Sequence, residues 1–361
     1  MKTLYNFSAG PSVLPKEVLI EAQKSLVDYE GSGMSVMEMS HRSKEFAAII
    51  EDTEALFRSV LNIPERYKVL FLQGGATLQF AMVPMNLLGR NGKADYVVTG
   101  NFSNNAYKEA LLFGKDISLA GTTKDENFSR IPEQDELTLD PDADYLHICE
   151  NNTIFGSKWQ YIPKTGSVPV VSDMSSCILS EPVDVSQYGI IYAGAQKNIA
   201  PAGLTLVIIR DDLIYEPLPG TPTMLNYGIL AENDSMKNTP PCWPIYISKL
   251  VLEWIQREGG LEAMKRKNEE KAHLLYDYLD ATDFYKTNVI PKDRSIMNVT
   301  FKTDSPELDA KFIADSKAAG MSNLKGHRAV GGMRASIYNA MPAEGIAYLV
   351  DFMKTFEAEN K

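Results

Sequence analysis

Short, continuous apolar runs rich in β-branched residues alternate with helical patterns over the first 215 residues, and this alternation limits the possible folds more than any other feature. The runs VLFL (69–72), YVVT (96–99), YLHIC (145–149), VPVVSD (168–173), GIIYAG (189–194) and LTLVII (204–209) read as strands, with helical stretches such as TLQFAMVPMNLL and NNAYKEALLF between them. Strands that are apolar on nearly every residue are buried on both faces, which predicts a mainly parallel sheet covered by helices. A loop rich in Pro, Asn, Thr and Ser runs from Glu216 to Pro244, long enough to serve a function or an interface. Beyond it, IYISKLVLEWIQREGG and LEAMKRKNEEKAHLLYDYLD predict long helices broken at Gly259 and Gly260. SIMNVTF, PELDAKFIADSKAAG, MRASIY and AEGIAYLVDFMKTF predict a smaller α+β part at the C-terminal end.

With 44% hydrophobic and 23% charged residues in 361, the balance is that of a soluble globular protein. A net charge of -11 argues against a nonspecific binder of nucleic acid or anionic membranes, so any anion site must be a local cluster of cations. The first residues, MKTLYNFSAGPSVLP, lack the apolar stretch of a signal peptide, and no run reaches the roughly 20 apolar residues of a membrane span. Cys149, Cys177 and Cys242 are widely spaced without a CxxC pair, which suggests neither a disulfide framework nor a zinc site. A cytoplasmic address and no metal are the expectations.

Parallel sheets place ligands beyond the carboxyl ends of their strands. Three sequence features sit there. GGAT (Gly74–Thr77) joins a strand to a helix, where free N–H groups and the helix dipole suit a phosphate; a tight turn without ligand reads equally well, and neither GxGxxG nor GxxxxGK[ST] is present. Asp173 ends VPVVSD, as a turn cap or a ligand-facing carboxylate. Lys197 comes after GIIYAGAQ, 24 residues beyond Asp173, which is enough for one crossover to a neighbouring strand. Alone it reads equally well as a turn lysine capping a strand or as a functional amine; with the other two it completes what pyridoxal phosphate requires: donors for the phosphate, a carboxylate for the pyridine nitrogen and an amine for the aldehyde. Small neighbours (Gly194, Ala195, Ala200) would admit the cofactor and reduce solvation of the amine.

The run SDMSSCILSEPVDVSQYGIIYAGAQKNIAPAGLTLVIIR, together with FSAGPS, GGATLQFAMVP and SMKNTPPCWPIY, closely resembles the phosphoserine aminotransferases, class-V enzymes of fold-type I, over essentially the whole chain. The resemblance implies a large domain over residues 16–258 with a mainly parallel seven-stranded sheet, and a small α+β domain of residues 1–15 and 259–361. It implies reversible amino transfer between L-glutamate and 3-phosphohydroxypyruvate, giving O-phospho-L-serine and 2-oxoglutarate in serine biosynthesis. In some bacteria it also implies a related step in vitamin B6 synthesis. By the same resemblance Lys197 is the Schiff-base lysine, Asp173 pairs with the pyridine nitrogen and Thr153 bonds near the phenolic oxygen. Gly75, Ala76, Thr77 and Gln196 hold the cofactor phosphate, and Asn238 and Thr239 reach it from the other subunit of a homodimer.

Two departures stand out. Phe102 occupies the ring-stacking position where many members have tryptophan, and Thr77 stands where some have an arginine for the substrate phosphate. The cations must come from elsewhere. Two of only four histidines precede an arginine, His41-Arg42 and His327-Arg328, and Arg334 lies six positions farther on. Such pairs on a surface are ordinarily solvated; by the resemblance both bind the substrate phosphate and Arg334 takes the α-carboxylate, tasks that suit the planar guanidinium fork. His147 and His273 show no such context and read as structural or exposed. The Met-rich GMSVMEMSHR before the first pair reads as core packing. A cysteine desulfurase would need a persulfide cysteine and a stacking histidine, an aminotransferase for alanine, serine or glyoxylate would not need two His-Arg pairs, and a non-catalytic phosphate binder would not need Lys197 and Asp173.

Overall fold

The computed structural model describes residues 4–361; residues 1–3, part of the expected small domain, lie outside them. After β1 (Tyr5–Asn6) and the helices α1 (Lys16–Lys24) and α2 (Lys44–Leu61), seven strands build the main sheet. These are β2 (Tyr67–Leu72), β3 (Lys93–Val98), β4 (Asp116–Thr122), β5 (Tyr145–Cys149), β6 (Val170–Asp173), β7 (Ile190–Gly194) and β8 (Thr205–Arg210). They lie in the order β2-β8-β7-β6-β5-β3-β4, with β8 antiparallel to both neighbours and the other pairings parallel. The seven-stranded, mainly parallel sheet is thus present. Strand β4 has no counterpart among the apolar runs, because as an edge strand it buries only Ile117 and Ala120.

Alternation along the strands decides what each face packs against. Phe71, Ile148, Ile191 and Ile208 join one core with Phe46, Ile49 and Phe57 of α2 and with Ile245 and Leu252 of α6 (Cys242–Arg257). Leu70, Tyr96, Tyr192 and Val207 join another with Phe80 and Val83 of α3 (Gly75–Leu87) and Ala106 of α4 (Asn101–Leu111). Helix α2 starts where the Ser43 side chain accepts from the Phe46 amide at 3.2 Å, a cap worth about 1 kcal/mol.

The polar loop after β8 is not wholly irregular. It contains a short helix, α5 (Tyr227–Glu232), which apolar periodicity over six residues is too brief to signal; Asn226 caps it by accepting from Gly228 and Ile229. Helix α7 (Gly260–Ala281) begins at the glycine pair, as expected. The C-terminal part has a three-stranded sheet in which β10 (Asn298–Lys302) lies between β9 (Lys286–Thr287) and, across α8 (Pro306–Ala318) and β11 (Met321–Ser322), β12 (Met333–Ser336); α9 (Ala343–Asn360) closes the chain. Its core gathers Leu275 of α7, Phe301, Phe312, Ile346 and Phe356.

The N-terminal segment belongs to both parts. Strand β1 pairs in parallel with β11 through Tyr5–Met321 and Asn6–Ser322. Farther on, the Ser12 amide donates to the Gln196 carbonyl at 2.9 Å, the Ser12 hydroxyl to the Lys197 carbonyl, and Tyr338 Oη to the Ala9 carbonyl at 2.9 Å.

Candidate active site

The carboxyl ends of β5, β6 and β7 are in register, Cys149 opposite Asp173 and Asp173 opposite Tyr192, so the turns leaving these strands converge at one place. Asp173 is buried, and its Oδ1 accepts from the Ser175 amide at 2.9 Å and the Ser175 hydroxyl at 2.6 Å. The Ser175 hydroxyl in turn accepts from the Gly194 amide at 3.0 Å. Burial raises the Asp173 pKa, and the bonds from Ser175 and the nearby Lys197 charge oppose that rise. Among the described residues nothing donates to Oδ2, which leaves that oxygen for a ligand.

Lys197 is held in a turn in which the Ala195 carbonyl accepts from the amides of Lys197 and Ala200. The side chain is buried; Nζ donates to Thr153 Oγ1 at 2.8 Å and lies 5.6 Å from the centre of the Phe102 ring. Helix α3 opens at Gly74, whose φ of 92° and whose missing Cβ, which would sit 2.4 Å from Leu78 Cδ2, make glycine the residue that fits. The first-turn N–H groups of Gly75, Ala76 and Thr77 have no partner one turn earlier in the helix, and all three residues line the same cavity as Lys197.

That cavity, about 850 Å³, brings together Gly75, Ala76, Thr77, Phe102, Thr153, Asp173, Gln196 and Lys197 with His327, Arg328 and Arg334. Arg334 reaches it from β12, donating through Nη1 to the Thr153 carbonyl at 3.3 Å, while its Nε is buried without a partner. Burial lowers the Arg334 pKa, and the His327 pKa is lowered by burial first and by the Arg334 and Arg328 charges next. No carboxylate among the described residues pairs with His327, Arg328 or Arg334. Three cationic or protonatable groups facing one cavity without counter-ions call for an anionic ligand.

Four expected residues are not in this cavity. Asn238 and Thr239 lie beside Gln73, Asn238 Nδ2 donating to Gln73 Oε1 at 3.2 Å and Gln73 Nε2 to the Thr239 carbonyl at 3.3 Å. His41 and Arg42 stand in the turn before α2, also outside the cavity of their own chain. In the methionine-rich stretch before them Val36 and Met39 enter the core, but Met37 is exposed, so core packing accounts for only part of it. His147 is buried and bonds Tyr192 Oη at 2.8 Å; His273 is exposed.

Residues that the sequence did not single out also shape the site. Ser175 orients Asp173, Ser12 binds the lysine turn, and Asn151 donates to Ser176 Oγ and Asn298 Oδ1, both at 2.8 Å, joining the end of β5 to β10. Asn151 comes just after a strand, the one local signal that could have marked it; Ser12 closes the FSAGPS stretch of the family likeness but carries no chemical signal of its own. The donor set fits pyridoxal phosphate: a buried amine, a carboxylate oxygen free of protein donors, a helix N-terminus and an aromatic face, all lining one space.

The model of the aminotransferase class-V family matches residues 4–349. The chain is 52% identical to the phosphoserine aminotransferase of Bacillus cereus over 361 residues, all of both chains. Among solved structures, it resembles the phosphoserine aminotransferase from Bacillus circulans subsp. alkalophilus with a TM-score of 0.98 and 47% identity, covering 100% of each chain. It also resembles the pyridoxal-phosphate-bound phosphoserine aminotransferase from Trichomonas vaginalis, with a TM-score of 0.94 and 37% identity over 97% of this chain and 99% of that one.

Proposed function

Because the chain belongs to the class-V aminotransferases, as a phosphoserine aminotransferase that uses pyridoxal phosphate, we propose how its own residues divide the reaction. Three unpaired groups, His327, Arg328 and Arg334, facing the same cavity as Lys197 and Asp173, carry this reading. When bound, the cofactor supplies an aldehyde for amine exchange and a protonated ring that takes up the electrons of the substrate's Cα–H bond.

Lys197 moves the proton at the substrate's Cα. Thr153, accepting from Nζ at 2.8 Å, holds the amine in place. Asp173 uses Oδ2 to keep a proton on the ring nitrogen, while Ser175 fixes Oδ1. Gly75, Ala76 and Thr77, with Gln196, take the cofactor's phosphate, and Phe102 covers one face of its ring. Arg334 binds the α-carboxylate through its guanidinium, and Arg328 with His327 takes the distal anion: phosphate in phosphoserine, γ-carboxylate in glutamate.

The residues outside the cavity fit a homodimer. Asn238, Thr239, His41 and Arg42 would complete the neighbouring copy's site, the first two at the cofactor phosphate and the second two at the distal anion. We divide each subunit into residues 16–258 and a small domain of residues up to 15 with 259–361, and place the enzyme in the cytoplasm; no helix among the described residues is long and apolar enough to cross a membrane.

The test is a single-turnover titration of cofactor-loaded protein with O-phospho-L-serine, L-serine and L-alanine, monitored by cofactor absorbance. Rapid conversion with phosphoserine, slow conversion with the other two, and a loss of about 10²-fold in kcat/KM for phosphoserine in Arg328→Ala are expected. Equal conversion by L-alanine would refute the distal-anion assignment.

A further inference from the structure

Arg328 sits on a loop whose attachments are one-sided. The loop leaves β11 and returns to β12 through a pinched neck, where Lys325 bridges to Met333 and the Gly326 amide donates to the Gly332 carbonyl at 2.8 Å. A Cβ on Gly326 would lie 2.0 Å from the Gly331 carbonyl oxygen, so the neck closes only on glycine. Past the neck, the amides of Val330 and Gly331 both donate to the His327 carbonyl at 2.9 Å, and the Ala329 amide donates to His327 Nδ1 at 3.2 Å. All these bonds are internal to the loop. Among the described residues no hydrogen bond or ion pair ties 326–332 to the main-sheet part, although Arg328 must meet a substrate bound there.

One apolar contact does cross. Val330 packs on the cluster of Val98, Phe128, Ile154 and Phe155, which Phe102 also joins. We infer that Val330 is a positioning residue, whose seat on this cluster sets the place of Arg328 and hence the preference for substrates with a distal anion. The internally bonded loop moves as one body on its glycine neck, so a contact two residues from Arg328 fixes the guanidinium as well. Valine suits this because its branched side chain has few rotamers. A cavity of about 270 Å³ beside Val330, lined also by Phe155, Thr300 and Phe301, gives a released loop room to shift instead of a second wall to rest on. The inference rests on the assignment of the distal anion to Arg328.

The experiment compares holoenzymes carrying Val330→Ser, Val330→Ile and Arg328→Ala. In Val330→Ser, kcat/KM for O-phospho-L-serine is expected to fall about tenfold, mostly through KM, while the slow half-reaction with L-alanine stays within about twofold. Val330→Ile restores it. Trypsin, which cuts after Lys325 or Arg328, nicks the loop of Val330→Ser several-fold faster than that of the wild type, a readout independent of turnover. If Arg328→Ala lowers kcat/KM for phosphoserine but Val330→Ser changes neither that value nor the nicking rate, the positioning role is overturned. If Arg328→Ala itself changes nothing, the distal-anion assignment fails first and takes the inference with it. Should Val330→Ser fold poorly, Val330→Thr, nearly isosteric, carries the same expectation at reduced size.

Discussion

Asn339 and Arg328 lie 11 residues apart on one stretch of chain, yet they meet the main-sheet part in opposite ways. Asn339 is buried and fully engaged: its amide donates to Asn198 Oδ1 at 3.1 Å, its Nδ2 to the Leu179 carbonyl at 2.8 Å, and its Oδ1 accepts from Asn268 Nδ2 at 2.9 Å. Next to it Lys271 Nζ donates to the carbonyls of Ile337 and Tyr338 at 3.0 and 2.8 Å. This junction links the turn after Asp173, the turn of Lys197 and the exit of the strand that carries Arg334. Arg328, by contrast, is exposed and held through one valine. The difference separates two demands: proton transfer at Cα needs fixed geometry, which a buried polar network supplies, whereas capture and release of a charged substrate end needs a contact that is cheap to break.

The largest effect expected lies on the fixed side. Lys197→Ala should lower transamination by about 10⁴-fold or more, measured by single turnover, with the cofactor still bound at the helix end and Asp173. Asn339→Ala, which leaves the Leu179 carbonyl without its donor and removes one of the two acceptors of Asn268 Nδ2, should cost about 3 kcal/mol in a denaturant titration and slow both half-reactions alike. A selective loss for phosphoserine alone would erase the contrast between junction and loop.

Lys271 sharpens it through pH. Burial, with a smaller contribution from Lys267, lowers its pKa to about 7 from the ordinary 10.5. The unfolded chain therefore binds more protons between those values, and stability contributed by this group rises with pH across that window and is lost as pH falls to about 7. The stability of the wild type relative to Lys271→Met should accordingly grow by about 2 kcal/mol between pH 7 and pH 9, at roughly 1.36 kcal/mol per unit once the folded-state amine is neutral. A pH-independent difference would show that the amine stays charged in the folded protein, its burial offset by the carbonyls around it. The smallest effect is expected at the loop: Arg328→Ala should shift the unfolding free energy by no more than about 0.5 kcal/mol, however much it weakens phosphoserine. A large destabilisation there would mean that the loop is structural after all.

The same contrast governs what could be read from residues alone. Six of the seven main strands announce themselves as continuous apolar runs, and Lys197 and Asp173 are visible because of their places at or just beyond the ends of such runs. The junction is not visible in this way: Asn198, Asn268 and Asn339 are 70 or more residues apart, and polar side chains that satisfy one another across such distances leave no periodic pattern. Strand β4 escaped because much of it is solvated. Asn238, Thr239, His41 and Arg42 were suggested by family likeness, and a single chain does not gather them. Val330 is one more apolar residue in a loop until its packing on the cluster of Val98, Phe128, Ile154 and Phe155 is known.

The pairing of β1 with β11 has a consequence for how the molecule is made. The Asn6 side chain accepts from Asn323 Nδ2, a partner 317 positions later in the chain. A ribosome therefore delivers the first strand long before anything exists for it to pair with, while all seven strands of the main sheet are complete by residue 210. The nascent polypeptide can assemble its sheet early, and the bonds of Ser12 to the lysine turn can form with it, but Tyr5 and Asn6 have no strand partner until Met321 and Ser322 have been made. The order of synthesis thus leaves β1 waiting for β11 long after the main sheet is complete.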